Sequence, residues 1–147
     1  MISQALQTSV ITIIGGVTIF VLGQVFLKFV IEPIHQLLAH IGEITHLLIY
    51  HSDVFLSMGE LNTLDQTRNA SQDFRKAGSE LLARSHAIHW HGLWSILKIL
   101  PKKDDIFHAH IELIGLSNGV LDSVPEHNTK RLESIKTYLS LPPKLLT

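Results

Sequence analysis

The sequence predicts an all-α protein: one N-terminal transmembrane helix followed by a small helical bundle of about four helices. Three observations predict it. Residues 1–27 carry no charged side chain, and Val10–Leu27 is an unbroken uncharged run. From Ile34 onward, apolar residues recur at helical spacing instead of surrounding the chain. No alternating apolar–polar run bounded by turn residues marks a strand.

At 1.5 Å per residue, the run from Val10 to Leu27 covers roughly 27 Å, and continuing it to Ile31 gives roughly 33 Å. The hydrocarbon core of a bilayer is about 30 Å thick. Backbone polar groups inside lipid must satisfy one another, so the run reads as a helix. A cleaved signal peptide is disfavoured, because no Lys or Arg precedes the run and no small-x-small site follows it. A buried core helix of this length would show a polar stripe, and residues 9–23 show none. The sequence thus divides into an anchor, 1–31, and a helical domain, 32–147. All Lys and Arg lie beyond the span, starting at Lys28. The positive-inside rule then places the domain in the cytoplasm, which for a bacterial chain means an inner-membrane protein with one pass.

Small residues recur on the anchor. Ser9, Gly16 and Gly23 are seven apart, with Thr12 on the same side. Such a stripe lets helices approach closely in lipid, which makes Gly16 and Gly23 candidates for a self-association face. Gln24, Lys28 and Glu32 follow at spacings of four. They read either as a headgroup-level pair, Lys28 with Glu32, or as the polar lining of an opening in a ring of helices.

Pro33 predicts a kink or short break after the span. Ile34, Leu37, Leu38, Ile41, Ile44 and Leu48 then mark a helix to about Tyr50, with His35, His40, His46 and His51 on its polar face or at headgroup level. Residues 59–72 read as a loop or a poorly packed helical start. Phe74, Ala77, Leu81 and Ile88 mark a second helix, continuing through Trp90, Leu93, Trp94 and Leu97 and ending before Pro101. Trp90 and Trp94 fill the core or a subunit interface on this reading, with a peripheral membrane contact as the alternative. A third helix runs from about Ile106 to Asn118, capped by Asp104 or Asp105 and stopped by Asn118-Gly119. Ser123-Val124-Pro125-Glu126 has capping-box spacing for a fourth, which turns Leu132, Ile135 and Leu139 inward and stops before Pro142-Pro143.

Composition excludes several chemistries. There is no cysteine, hence no disulfide, thiolate site or cysteine nucleophile. The formal net charge of −1 gives no bulk reason to bind duplex DNA. No glycine-rich phosphate loop or nucleophile elbow occurs. The ten histidines are the anomaly. Three of them crowd the stretch from Arg84 to His91.

That stretch allows two sharp readings. Arg84 and His89 form an Arg-x4-His pattern, resembling the motif of HEPN-type ribonucleases. There histidine would act as acid or base and arginine would steady the phosphate. On an unbroken helix, however, residues five apart are separated by about 140°. Arg84, His86 and His91 are also candidates to bind an anionic or nucleotide ligand. The other reading is metal, with His86 and His89 joined by His108 or His110. The spacing is not that of a recognised site, and the expectation is no metal and no cofactor. A structural ion pair at Arg84 is the plain alternative.

Leu22-Gly23-Gln24, Lys28-Phe29, Ile31-Glu32-Pro33, Ile41-Gly42-Glu43-Ile44 and Ile114-Gly115-Leu116-Ser117-Asn118 resemble segments of small bacterial membrane-anchored proteins. That resemblance implies an architecture and no activity. A looser resemblance is to small membrane effectors that accompany CRISPR systems, which combine a membrane segment with a short helical cytoplasmic domain. It implies homo-oligomers in the bilayer, with RNA or a cyclic oligoadenylate as ligand. The expectation is a self-associating membrane protein that permeabilises or depolarises the bilayer in antiviral defence. The alternatives are a membrane-tethered ribonuclease using Arg84 and His89, or a non-catalytic scaffold.

Overall fold

The computed structural model describes residues 2–56, 64–122, 125–142 and 144, and the description below is of those residues. They are helical, with no strand among them. Helix α1 covers Ile2–Phe26, a π-turn covers Leu27–Ile31, and α2 covers Glu32–Tyr50. After these come α3, Ser52–Leu56; α4, Leu64–His86; α5, His91–Ile96; α6, Lys103–Asp122; and α7, Pro125–Tyr138.

One long helix joins the anchor to the domain. It runs from Gln7 to Tyr50 and contains a stretch long and apolar enough to cross a membrane. Every residue from Gln7 to Phe29 is exposed, so nothing in the domain covers this stretch. Its three threonines are satisfied within the helix. Thr8, Thr12 and Thr18 donate to the carbonyls of Gln4, Thr8 and Ile14 at 2.8–2.9 Å. A hydroxyl closed on its own helix carries little desolvation cost into lipid.

The break predicted at Pro33 is instead a continuous helix with a π-turn before it. The Glu32 N–H donates to the Leu27 carbonyl, five residues back. Proline has no N–H to give, and its ring crowds the carbonyl four residues earlier, here that of Phe29. Widening the preceding turn relieves that crowding without ending the helix.

Beyond Pro33 the apolar residues narrow to a stripe. Ile34, Leu37, Ile41, Ile44 and Leu48 are buried, while Leu38 stays 41% exposed. The stripe packs on α4, whose Phe74, Ala77 and Leu81 face it. Helix α4 also packs on α6, and α6 on α7, so the four long helices are neighbours in chain order. Val30, in the π-turn, packs against the same core, which therefore reaches back to the end of the span. Leu132 and Ile135 of α7, and Leu139 just after it, are buried as predicted. Short α3 adds Phe55, edge-on to Phe74 with ring centroids 5.8 Å apart.

Three boundaries differ from expectation. Asp104 and Asp105 lie in the first turn of α6, where carboxylates suit the helix dipole, and do not precede it. Asn118-Gly119 does not stop α6, which continues to Asp122. Gly119 is there for proximity: a Cβ at this position would collide with the Asn128 side-chain oxygen of α7. Asn128 is 1% exposed, and its amide donates to the carbonyls of Gly119 and Phe55 at 3.2 and 3.4 Å. One buried amide thus ties α7 to both α6 and α3. The residues 59–72, read as a loop or helical start, are helical from Leu64, with Ala70 and Ser71 already buried. The capping-box reading rests on Ser123 and Val124, which lie outside the described residues.

The third difference bears on function. The second predicted helix does not run through Trp90. Helix α4 ends at His86, and Ser85 Oγ and His86 Nδ1 both donate to the Leu82 carbonyl, at 2.7 and 2.8 Å. Side chains that take a helical carbonyl compete with helix continuation. Ile88 turns into the core, Trp90 adopts a left-handed backbone with φ 56°, and α5 starts at His91.

Candidate functional site

The densest polar cluster lies where α2 crosses α4. A small cleft there is lined by His40, Glu43, Leu47, Asp73, Lys76, Ala77 and Glu80. His40 is its centre. The position falls on the core side of α2, and its ring is 3% exposed. This corrects the expectation that His40 belongs to the polar face. Its Nε2 donates to the Ala77 carbonyl across the helix interface at 3.0 Å. Its Nδ1 lies 2.9 Å from Glu43 and 3.8 Å from Glu80. Each nitrogen therefore faces an oxygen acceptor.

Glu80 gathers the rest. Arg84 reaches it at 3.3 Å and Lys76 at 4.0 Å. His40 Nδ1 and the Glu43 and Glu80 carboxylates each offer one ligand atom, all within 4.8 Å of one another. The donor types suit a divalent transition metal, and the bond from Nε2 to a backbone carbonyl is how a ligating histidine is commonly oriented. A metal entering here must compete with Arg84 and Lys76 for Glu80. As it stands, the His40–Ala77 hydrogen bond clamps α2 to α4, and Glu80 gathers Arg84 and Lys76 beside it within α4.

His51 repeats the design one element later. It too is buried, at 6% exposure, and lies 2.9 Å from Asp73 of α4. Its ring stands edge-on to Phe74 and Tyr50. From the opposite side, His110 of α6 donates to the Gly78 carbonyl at 2.9 Å. Two successive carbonyls of α4, those of residues 77 and 78, thus each accept a histidine from a neighbouring helix.

The residues singled out from sequence are dispersed. Arg84 is half-buried and committed to Glu80. His89 is exposed in the turn after α4, and no hydrogen bond or ion pair joins it to Arg84. The 140° argument lapses, because the helix ends between them. His86 is exposed and spends Nδ1 on Leu82. His108 stacks on Tyr138 with ring centroids 5.3 Å apart. His91 is 7% exposed, and neither ring nitrogen has a hydrogen-bond partner. Burial, then the nearby Lys103 ammonium, hold its pKa below the ordinary histidine value.

On the anchor, a Cβ at Gly16 or Gly23 would meet nothing within 4 Å. Gln24, Lys28 and Glu32 are exposed. Glu32 accepts a 3.2 Å hydrogen bond from Gln36 and makes no ion pair with Lys28, which the π-turn carries out of α-helical register.

Against known proteins, no family model matches the chain, and no curated protein or solved structure is similar to it.

Two outcomes follow. His40→Ala leaves the Ala77 carbonyl short of its second partner and removes the ring nitrogen that faces Glu43 and Glu80. It should cost about 2 kcal/mol in urea unfolding in detergent, whereas Glu43→Gln, at an exposed carboxylate, should cost well under about 1 kcal/mol. Equal losses would contradict the clamp. His91 gives a pH dependence. Its folded pKa lies below the unfolded value, so the unfolded chain binds more protons once the pH drops below about 6.5. Stability should fall there by up to about 1.4 kcal/mol per pH unit and level off below the folded pKa. His91→Phe should remove that component from the difference between unfolding curves at pH 7.5 and 5.5.

Proposed function

We propose that this chain is a single-pass membrane protein of the bacterial inner membrane, with its domain on the cytoplasmic side, that self-associates and acts on the bilayer. One observation carries the reading. The helix that leaves the span is the same helix that forms a wall of the domain core, and no residue from Gln7 to Phe29 is covered by the domain. A domain held this way cannot reorient without moving the span. An open, small-residue face on the span is what close helix pairing in lipid uses, and Gly16 and Gly23 provide it.

Permeabilising or depolarising the membrane, as a defence effector would, is the narrower form of this proposal. In a ring of copies, Gln24 and Lys28 would line the opening and Glu32 would sit at its cytoplasmic mouth. The α2–α4 clamp is the natural control point, because α2 transmits any change there to the span. An anionic ligand such as a nucleotide phosphate would act by displacing Glu80 from Arg84.

Subunit counting in nanodiscs, by mass measurement, tests it. The wild-type chain should give a closed oligomer. Gly16→Leu with Gly23→Leu should shift it towards monomer by about tenfold or more in apparent association, the scale of about 1.4 kcal/mol. Lys28→Leu should leave assembly intact and change ion leakage from loaded vesicles. A wild-type monomer at all protein-to-lipid ratios would remove the proposal.

A further inference from the structure

The segment from Trp90 to Lys103 carries an apolar surface that the bundle does not use. Trp90, Leu93, Ile96, Leu97 and Ile99 are 71%, 51%, 79%, 56% and 43% exposed. The segment is nonetheless pinned to the domain. Ile88, His91 and Leu100, around and within it, are buried, and Trp94 packs on the core. Its exposed apolar side chains are therefore presented on a fixed support.

Charge and position identify what covers them. Between Glu80 and Asp104 there is no acidic residue, while Arg84, Lys98, Lys102 and Lys103 all fall in that interval. Asp104 and Asp105 follow directly, so residues 90–105 carry three lysines against two aspartates, a small basic excess. Arg84 is held by Glu80, but the three lysines are exposed beside the apolar side chains. Ile96, Lys98, Ile99, Lys102 and Asp105 share a groove with Leu38 and Ile41 of α2. Leu38 lies seven residues beyond Ile31, about 10 Å along the helix from the end of the span. The polar headgroup layer adds roughly 5–8 Å on each side of the hydrocarbon. The groove thus lies at the end of the domain that faces the leaflet, within side-chain reach of the headgroups.

We propose that residues 90–103 are an interfacial docking surface for anionic lipid. Trp90, Leu93, Ile96, Leu97 and Ile99 enter the outer edge of the leaflet from which the span emerges, and Lys98, Lys102 and Lys103 face its headgroups. Tryptophan at this depth keeps its ring in the apolar boundary and its N–H in the wet layer, and lysine stems snorkel beside it. With the span this makes a second attachment, which fixes the tilt of the domain against the membrane.

The inference rests on reading α1 as a membrane span, and the test separates the two. The protein has only two tryptophans, both in this segment. The full chain is incorporated into nanodiscs containing anionic lipid brominated near the headgroup end of the acyl chain, and tryptophan emission is compared with unbrominated discs. Trp94→Phe leaves Trp90 as the sole probe, and the wild-type chain gives the same comparison without a substitution. Docking predicts Trp90 emission quenched at least about twofold and blue-shifted, with both effects lost in Ile96→Asp/Leu97→Asp and weakened in Lys98→Gln/Lys102→Gln/Lys103→Gln. These positions are exposed, so helical content should be unchanged. A chain that incorporates into discs but shows unquenched, water-like Trp90 emission overturns the docking surface alone. Failure to incorporate overturns the span and the docking surface with it. Blue-shifted emission that is insensitive to bromine and rises with copies per disc assigns the patch to a second copy, and also overturns the proposal.

Discussion

One helix has to live in two environments. From Val10 to Ile31 its apolar residues surround the axis, and from Ile34 to Leu48 they lie on a single stripe. The first pattern is left uncovered by the domain and is long and apolar enough to cross a membrane, and the second is buried by other helices. The change occurs within about one turn, at the π-turn and Pro33, without the chain leaving helical geometry. Everything else in the domain is arranged around that constraint. Helix α4 covers the stripe, α6 covers α4, α7 covers α6, and the core extends back to Val30 at the end of the span.

Histidine supplies much of the interhelical polar bonding. A helix backbone carbonyl already accepts one bond from its own helix and has a lone pair to spare. His40 and His110 use that lone pair at residues 77 and 78 of α4, from opposite sides. A ring donor of this kind links two helices without needing a charged partner, and its flat face still packs. Where a carboxylate is also in range, as for His40 and His51, the link becomes an ion pair when the ring is charged. Three of the ten histidines, His40, His51 and His110, are thereby accounted for by structure, and His91 is buried as a fourth, so part of the abundance noted in the sequence is architecture.

Local pattern was legible in sequence, and what required a distant partner was not. The stripe of α2 and the inward positions Leu132, Ile135 and Leu139 followed from spacing alone. The burial of His40 did not, because it depends on a carbonyl 37 residues away. Its His-x-x-Glu spacing with Glu43 was visible, but Glu80 completes the cluster only through the packing of α4. Gly119 was misread as a stop because sequence cannot distinguish a glycine needed for backbone freedom from one needed for room. The end of α4 at His86 was hidden by the continuing apolar rhythm through Trp90 and Trp94, while Ser85 and His86 redirected the Leu82 carbonyl. With that break, the spacing of Arg84 and His89 ceases to be a helical question: Arg84 joins the cleft through Glu80, and His89 is exposed in the turn.

Helix α2 is the uninterrupted extension of the apolar N-terminal helix, so the domain and that helix move as one. The chain has no cysteine, which permits two spin labels to be placed at Ile14 and Gly42, both exposed. A distance measurement by pulsed electron resonance in nanodiscs reads the helix between them directly. Continuity through Pro33 predicts a narrow distribution centred near about 42 Å, from 28 residues at 1.5 Å each. A broad distribution centred well below that value would mean a hinge at the proline, and would contradict the coupling of the α2–α4 clamp to the membrane.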